Sequence, residues 1–118
     1  MSSKVLTLVF TDLKGSTSLK AEKGDKAAGK LIARHREHVK RLALTNGGRI
    51  IDWAGDGCFL TFETPSAAVL FTRSLQQIHH RENDLPKVYT GINMGELRDI
   101  ALLNKYADAL NKEAEDVL

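Results

Sequence analysis

Apolar residues follow two different rhythms along this chain, and each rhythm predicts a different kind of element. Four short segments rich in β-branched and aromatic residues predict strands. They are Lys4–Phe10, Arg49–Ala54, Cys58–Glu63 and Lys87–Met94. The second and third segments flank Gly55-Asp56-Gly57, which is a strong signal for a β-hairpin.

Between the strands, apolar residues recur at three- and four-residue steps and predict helices. A turn at residues 14–18 leads into a short helix, and Asp25 is the expected N-cap of a long helix ending near Thr45. Thr64 and Pro65 are expected to begin the next helix, as N-cap and first helical residue. The Ala-, Leu-, Lys- and Glu-rich segment 99–118 predicts a C-terminal helix.

The order of these elements predicts a single α+β domain over residues 1–118. Its core is a ferredoxin-like, palm-like βαββαβ arrangement, followed by the C-terminal helix. Right-handed crossovers and the split βαβ arrangement make the first and third strands neighbours. The first strand leads into Asp12, and Asp56 lies in the hairpin before the third strand. Both aspartates are therefore expected at one edge of the sheet.

The amino-acid composition excludes several classes of function. The chain has 118 residues, 42% of them hydrophobic and 27% charged, with a formal net charge of +2. This is typical of a folded soluble protein and gives no reason to expect a nucleic-acid partner. The apolar runs are too short to span a membrane. The single cysteine, Cys58, excludes an internal disulfide and is expected to be a small buried core residue. With no signal-peptide pattern at the N-terminus, we expect a cytoplasmic protein.

Two neighbouring carboxylates, Asp12 and Asp56, would repel each other unless a cation lay between them. Mg²⁺ favours one or two carboxylates together with substrate phosphates. The turn after the first strand offers backbone N–H groups at a helix start, which suit phosphate oxygens. Its residues are Lys14, Gly15, Ser16 and Thr17. This combination favours phosphoryl or nucleotidyl transfer. The alternative is that Asp12 is a cap or turn residue and Asp56 a hairpin-tip residue.

Four motifs together resemble the catalytic domain of class III adenylate/guanylate cyclases in their bacterial form. They are the first metal motif at residues 9–17, the second at 47–57, the helix start at 65–68 and the strand ending in Gly-Glu at 90–96. The resemblance implies conversion of a nucleoside triphosphate, ATP in most of the family, to a 3′,5′-cyclic nucleotide and pyrophosphate. It further implies two Mg²⁺ or Mn²⁺ ions held by Asp12, Asp56 and the backbone carbonyl of Leu13. The phosphate-binding turn would be residues 14–17, and the active form a head-to-tail homodimer.

The chain departs from the family pattern at the positions that read the base and stabilise the transition state. Asp52 stands where the family has its adenine-reading lysine, and Asn104 stands where it usually has the second base-reading residue, an aspartate. Asn111 matches the asparagine that orients the ribose, whereas Glu115 stands in place of the transition-state arginine. The chain also ends before the last strands of a typical family domain.

Two functions therefore remain open from the sequence. The first is an active nucleotidyl cyclase with an altered base preference. The second is a catalytically degenerate module that binds metal and nucleotide and acts in regulation or dimerisation. Another nucleotidyl-transfer reaction on the same core, or a purely structural homodimer, are further alternatives.

Overall fold

The computed structural model describes residues 4–97, which form one four-stranded antiparallel sheet and three helices. The elements are β1 (Lys4–Leu13), α1 (Ser16–Lys23), α2 (Asp25–Thr45), β2 (Arg49–Ala54), β3 (Gly57–Phe62), α3 (Pro65–Arg81) and β4 (Val88–Leu97). The strand order is β2-β3-β1-β4. This confirms the predicted α+β class and the split βαβ order. The predicted C-terminal helix lies outside the described residues.

The main core lies between α2, α3 and one face of the sheet. Its buried apolar side chains come from every strand except β2 and from both long helices: Val9, Leu13, Val39, Leu42, Ala43, Cys58, Leu60, Phe62, Ala68, Phe71, Leu75 and Val88. A smaller cluster, built on Leu8 and Phe59, lies on the other face. Burial of apolar surface in the main core fixes the two long helices against the sheet.

The boundaries of several elements differ from the sequence prediction; β3 is shifted by one residue, and β4 continues to Leu97 instead of ending at Met94. β1 continues past Phe10 to Leu13, because β4 pairs with it along its whole length, from Lys4 opposite Leu97 to Leu13 opposite Val88. The N-cap of α2 is Gly24, with φ +83°, and Asp25 is the first helical residue instead of the cap. A carboxylate in the first turn still interacts favourably with the helix dipole.

The start of α3 was predicted correctly. Thr64 has an extended backbone, and its side chain accepts a hydrogen bond from the backbone N–H of Ala67. Pro65 occupies the first turn, where its missing N–H costs nothing. Within residues 4–97, no helix is long and apolar enough to cross a membrane.

Candidate active site

The strand pairing brings the two aspartates to one edge of the sheet. β1 and β3 are antiparallel neighbours, with Thr11 opposite Cys58. Asp12 follows Thr11 at the end of β1, and Asp56 lies in the hairpin just before β3. Both side chains are half-buried. Residues far apart in the sequence thus approach each other because the sheet places β3 directly beside β1.

A cavity of about 550 Å³ opens at this edge. It is lined by two segments, residues 12–18 from β1 and the following turn, and residues 54–56 from the hairpin. The lining includes every residue predicted from the sequence to bind metal or phosphate: Asp12, Leu13, Lys14, Gly15, Ser16, Thr17 and Asp56. The predicted constellation therefore shares one cavity.

The base- and ribose-reading predictions are placed differently. Asp52 lies on β2 opposite Phe59, is half-buried and is not among the residues that line the cavity. A register shift between Ile50 and Asp52 precedes it. Asn104 and Asn111, together with Glu115, lie outside the described residues.

On the β1 side, local hydrogen bonds fix the backbone where the cavity begins. The backbone N–H of Leu13 donates to Oδ1 of Asp12 at 2.9 Å. The N–H of Lys14 donates to the carbonyl of Lys87 in the chain before β4, at 2.8 Å. The Leu13 side chain is buried in the core, so only its backbone can take part in a polar site.

The turn into α1 uses a left-handed glycine. Gly15 has φ +68° and ψ +34° and precedes the first residue of α1, Ser16. No side chain caps this helix start. The first-turn N–H groups of a helix have no intrahelical partner, and the residues that carry them here, Ser16 to Ser18, line the cavity. This arrangement, with the charge of the neighbouring Lys14, suits an anion such as phosphate.

The hairpin is anchored to α2 by an arginine. Nη2 of Arg36 donates a hydrogen bond to the carbonyl oxygen of Gly55 at 2.7 Å, and its guanidinium carbon lies 5.2 Å from the centre of the Trp53 ring. Arg36 was not singled out from the sequence, and this contact was missed. No periodic signal marks it, because Arg36 lies at the border of the apolar stripe of α2.

A pair of buried histidines, one on α2 and one on α3, lies between these helices. Nδ1 of His35 lies 2.9 Å from Nε2 of His79, and Nδ1 of His79 lies 2.6 Å from the carbonyl oxygen of Pro86. Since a carbonyl can only accept, His79 donates from Nδ1 and accepts at Nε2, and His35 donates from Nδ1. Burial, and the neighbouring His79, lower the pKa of His35 to about 3, against an opposing effect of Asp56.

Cys58 is also buried, as the sequence predicted. Burial raises the pKa of its thiol to about 12, although the positive charge of Arg36 opposes the shift. The thiol is therefore protonated at neutral pH and has a packing role.

The donor set at the cavity is small and made of hard oxygen atoms. Within residues 4–97, no three or more His, Cys, Asp or Glu side chains gather in a group that could hold a metal ion. The two carboxylates in the cavity wall match the sites at which Mg²⁺ takes one or two protein carboxylates and completes its shell with phosphates and water. The residues present thus fit a substrate-bridged divalent cation.

Comparison with solved structures identifies the fold. The chain aligns with the adenylyl cyclase CyaB from P. aeruginosa at 22% identity and a TM-score of 0.67, covering 92% of this chain and 73% of that one. It aligns with the guanylate cyclase domain of RhGC from Catenaria anguillulae, solved in complex with GTP, at 16% identity and a TM-score of 0.70. That alignment covers 84% of this chain and 64% of the RhGC chain.

A third similar structure is an adenylate/guanylate cyclase/hydrolase from Silicibacter pomeroyi, at 22% identity and a TM-score of 0.66, with 92% of this chain and 72% of that one covered. The chain thus spans between 64% and 73% of the length of these three. Neither a scan against protein-family models nor a sequence search of curated proteins finds a match. The chain has the fold of the class III adenylyl and guanylyl cyclase catalytic domains, as the sequence motifs predicted.

Proposed function

We propose that this chain is a nucleotidyl cyclase domain that converts a nucleoside triphosphate to its 3′,5′-cyclic nucleotide and pyrophosphate. The supporting observation is that both aspartates and the β1–α1 turn line one and the same cavity. The fold that carries this cavity is shared with cyclase domains. ATP is the substrate expected from the family resemblance.

In this proposal the carboxylates of Asp12 and Asp56, with the carbonyl of Leu13, hold two Mg²⁺ or Mn²⁺ ions. Such ions, when bound, would favour ionisation of the ribose hydroxyl and stabilise negative charge at the phosphorus undergoing in-line displacement. The chain's own contribution is to hold two negative side chains at a common cavity edge. Neutralising either one would weaken the site, because the other carboxylate alone offers the cations too little charge.

The triphosphate is assigned to the β1–α1 turn. The first-turn N–H groups around Ser16 and Thr17 would donate to phosphate oxygens, and Lys14 would add a positive charge. Gly15 permits the left-handed backbone from which this helix begins.

A head-to-tail homodimer completes the proposal. Asp52 does not line the cavity of its own chain, which accords with family enzymes in which one chain binds the metals and the other reads the base. Asp52 and Asn104 would contact the base and Asn111 the ribose in the partner's site. A cytoplasmic location is part of the same proposal.

The direct test incubates the chain with each nucleoside triphosphate and Mn²⁺ and measures cyclic nucleotide and pyrophosphate. Asp56→Asn should abolish product formation, since it removes one charged ligand and preserves side-chain size. Asp25→Asn is the matched control, because Asp25 is exposed at the start of α2 and is not among the residues that line the cavity. Product from Asp56→Asn equal to that from the parent chain would refute the proposed roles.

The second candidate is a module that binds metal and nucleotide without turnover. It is favoured by Asp52 and Glu115, which put negative charge where the resemblance expects a lysine and an arginine. Loss of such an arginine costs on the order of 10³-fold or more in phosphoryl transfer. This function predicts thermal stabilisation by a non-hydrolysable nucleoside triphosphate that requires Mn²⁺, with no cyclic product. Absence of any binding would count against both candidates.

A further inference from the structure

Arg36 joins two elements that strand pairing alone does not connect. It lies in the middle of α2, whereas Gly55, whose carbonyl it binds at 2.7 Å, lies at the tip of the β2–β3 hairpin. A hydrogen bond with a charged donor is shorter and stronger than one between neutral groups. The hairpin tip is therefore fixed to the helix that carries much of the main core.

The bond acts on the peptide unit next to Asp56. The carbonyl carbon of Gly55 and the backbone nitrogen of Asp56 belong to one planar peptide group. Fixing the direction of the Gly55 carbonyl therefore fixes the backbone from which the Asp56 side chain projects. Gly55 itself has φ +58°, and glycine populates positive and negative φ about equally, so its own backbone preference does not hold this conformation. An external contact is needed to select one orientation.

Trp53 restrains Arg36 in turn. The indole ring lies 5.2 Å from the guanidinium carbon, within the range of a cation–π contact, and it packs against the main core. A planar guanidinium can stack on a ring and donate at its edge simultaneously, which a lysine ammonium cannot do. The two contacts together hold the arginine side chain in one place.

The contact made by Arg36 does not use the Asp56 carboxylate. The hydrogen bond of Arg36 uses a backbone oxygen and none of the carboxylate oxygens of Asp56. Without a bound cation, two neighbouring carboxylates repel, and a short hairpin would relax by moving them apart. A contact that resists this movement lowers the free-energy cost of assembling the site when the cation arrives.

We propose that Arg36 is a positioning residue, which holds the Gly55–Asp56 peptide so that Asp56 faces Asp12 across the cavity in the arrangement a divalent cation requires. The inference rests on the proposed function, since it concerns the same cation site. It assigns Arg36 no contact with substrate.

The test titrates the full chain with Mn²⁺ in the absence of nucleotide and follows free Mn²⁺ by electron paramagnetic resonance. Arg36→Met should weaken Mn²⁺ binding by about tenfold, the lower range for loss of an outer partner of a metal ligand. Arg36→Lys keeps the charge and a donor and should lose less affinity than Arg36→Met. Arg41→Met, at an exposed arginine of the same helix, is the matched control and should bind as the parent chain does.

Thermal unfolding of each variant separates positioning from folding, since Mn²⁺ affinity is compared at a temperature where every variant is folded. If Arg36→Met does not fold, Arg36→Lys decides. Affinity unchanged in the folded variant of Arg36 would overturn the positioning role and leave the proposed function intact. If the parent chain binds Mn²⁺ no better than Asp56→Asn does, the proposed function itself fails, and the inference fails with it.

Discussion

Acid should destabilise this protein through His35. The side chain is completely buried, and within residues 4–97 its Nε2 atom has no hydrogen-bond partner. A proton on Nε2 would create a buried cation beside His79, and Arg36 and His38 also lie near enough to disfavour it. Only Asp56 acts in the other direction. These causes lower the pKa of His35 in the folded chain from 6.5 to about 3.

The sign follows from proton binding in the two states. The unfolded chain takes up a proton at His35 as the pH falls through 6.5, whereas the folded chain does so only near pH 3. The contribution of His35 to stability is therefore fully present above pH 6.5, the pKa in the unfolded chain, and is lost as the pH falls from 6.5 toward about 3. At about pH 5 the proton favours the unfolded state by about 2 kcal/mol, or roughly 30-fold in the folding equilibrium. The pKa of His79 is also lowered, mainly by burial, and adds to the effect.

Urea unfolding at about pH 7 and about pH 5, followed by circular dichroism, measures this loss. His35→Asn places an amide donor close to the position of Nδ1 and cannot be protonated, so its free energy of unfolding should fall about 2 kcal/mol less between the two pH values. His80→Asn, at the exposed histidine beside His79, is the matched control. Equal losses in the parent chain and His35→Asn would refute the buried-histidine argument, whatever the stability of the variant at neutral pH.

Three further predictions use other features of the fold. A Cβ atom at Gly48 would overlap the ring of Phe62, so Gly48→Ala should lower the free energy of unfolding by about 1–3 kcal/mol in the same urea assay. Gly29 lies in α2 with open space around it, so Gly29→Ala should raise the free energy of unfolding by about 0.5–1 kcal/mol. Cys58 should react with a thiol reagent only as fast as the chain unfolds, and rapid labelling of the folded chain would contradict its burial. Asp52→Lys should increase the formation of cyclic product from ATP relative to that from GTP. A carboxylate accepts hydrogen bonds from the donors of guanine, whereas a lysine donates to adenine. An unchanged ratio of the two products would exclude Asp52 from base reading.

The sheet, and the position of Asp12 and Asp56 at one of its edges, could be predicted because both depend on local patterns and on topology. Strand segments, the Gly-Asp hairpin and the Thr64 cap are encoded within a few residues, and the split βαβ rule then places β1 beside β3. The extension of β1 through Asp12 to Leu13 could not be predicted in this way. Its polar residues interrupt the apolar run, and pairing with β4 determines the outcome.

Contacts between side chains that are far apart in the sequence could not be predicted, for a different reason. A charged residue at the border of an apolar stripe can face solvent or a neighbouring element, and periodicity does not distinguish the two. Arg36 turned out to contact the hairpin, and the register shift before Asp52 depends on how β2 meets β3. The N-cap of α2 is Gly24 instead of the predicted Asp25, because the same glycine also ends α1.

The adjacent residues His35 and Arg36 show how α2 can connect core packing with the candidate site. His35 points into the core, where it bonds to α3 through His79, while Arg36 reaches the hairpin that carries Asp56. Because both side chains leave the same helical turn, a displacement of α2 against α3 would also move the Gly55 carbonyl. One turn of α2 therefore contacts α3 on one side and the hairpin of the candidate site on the other.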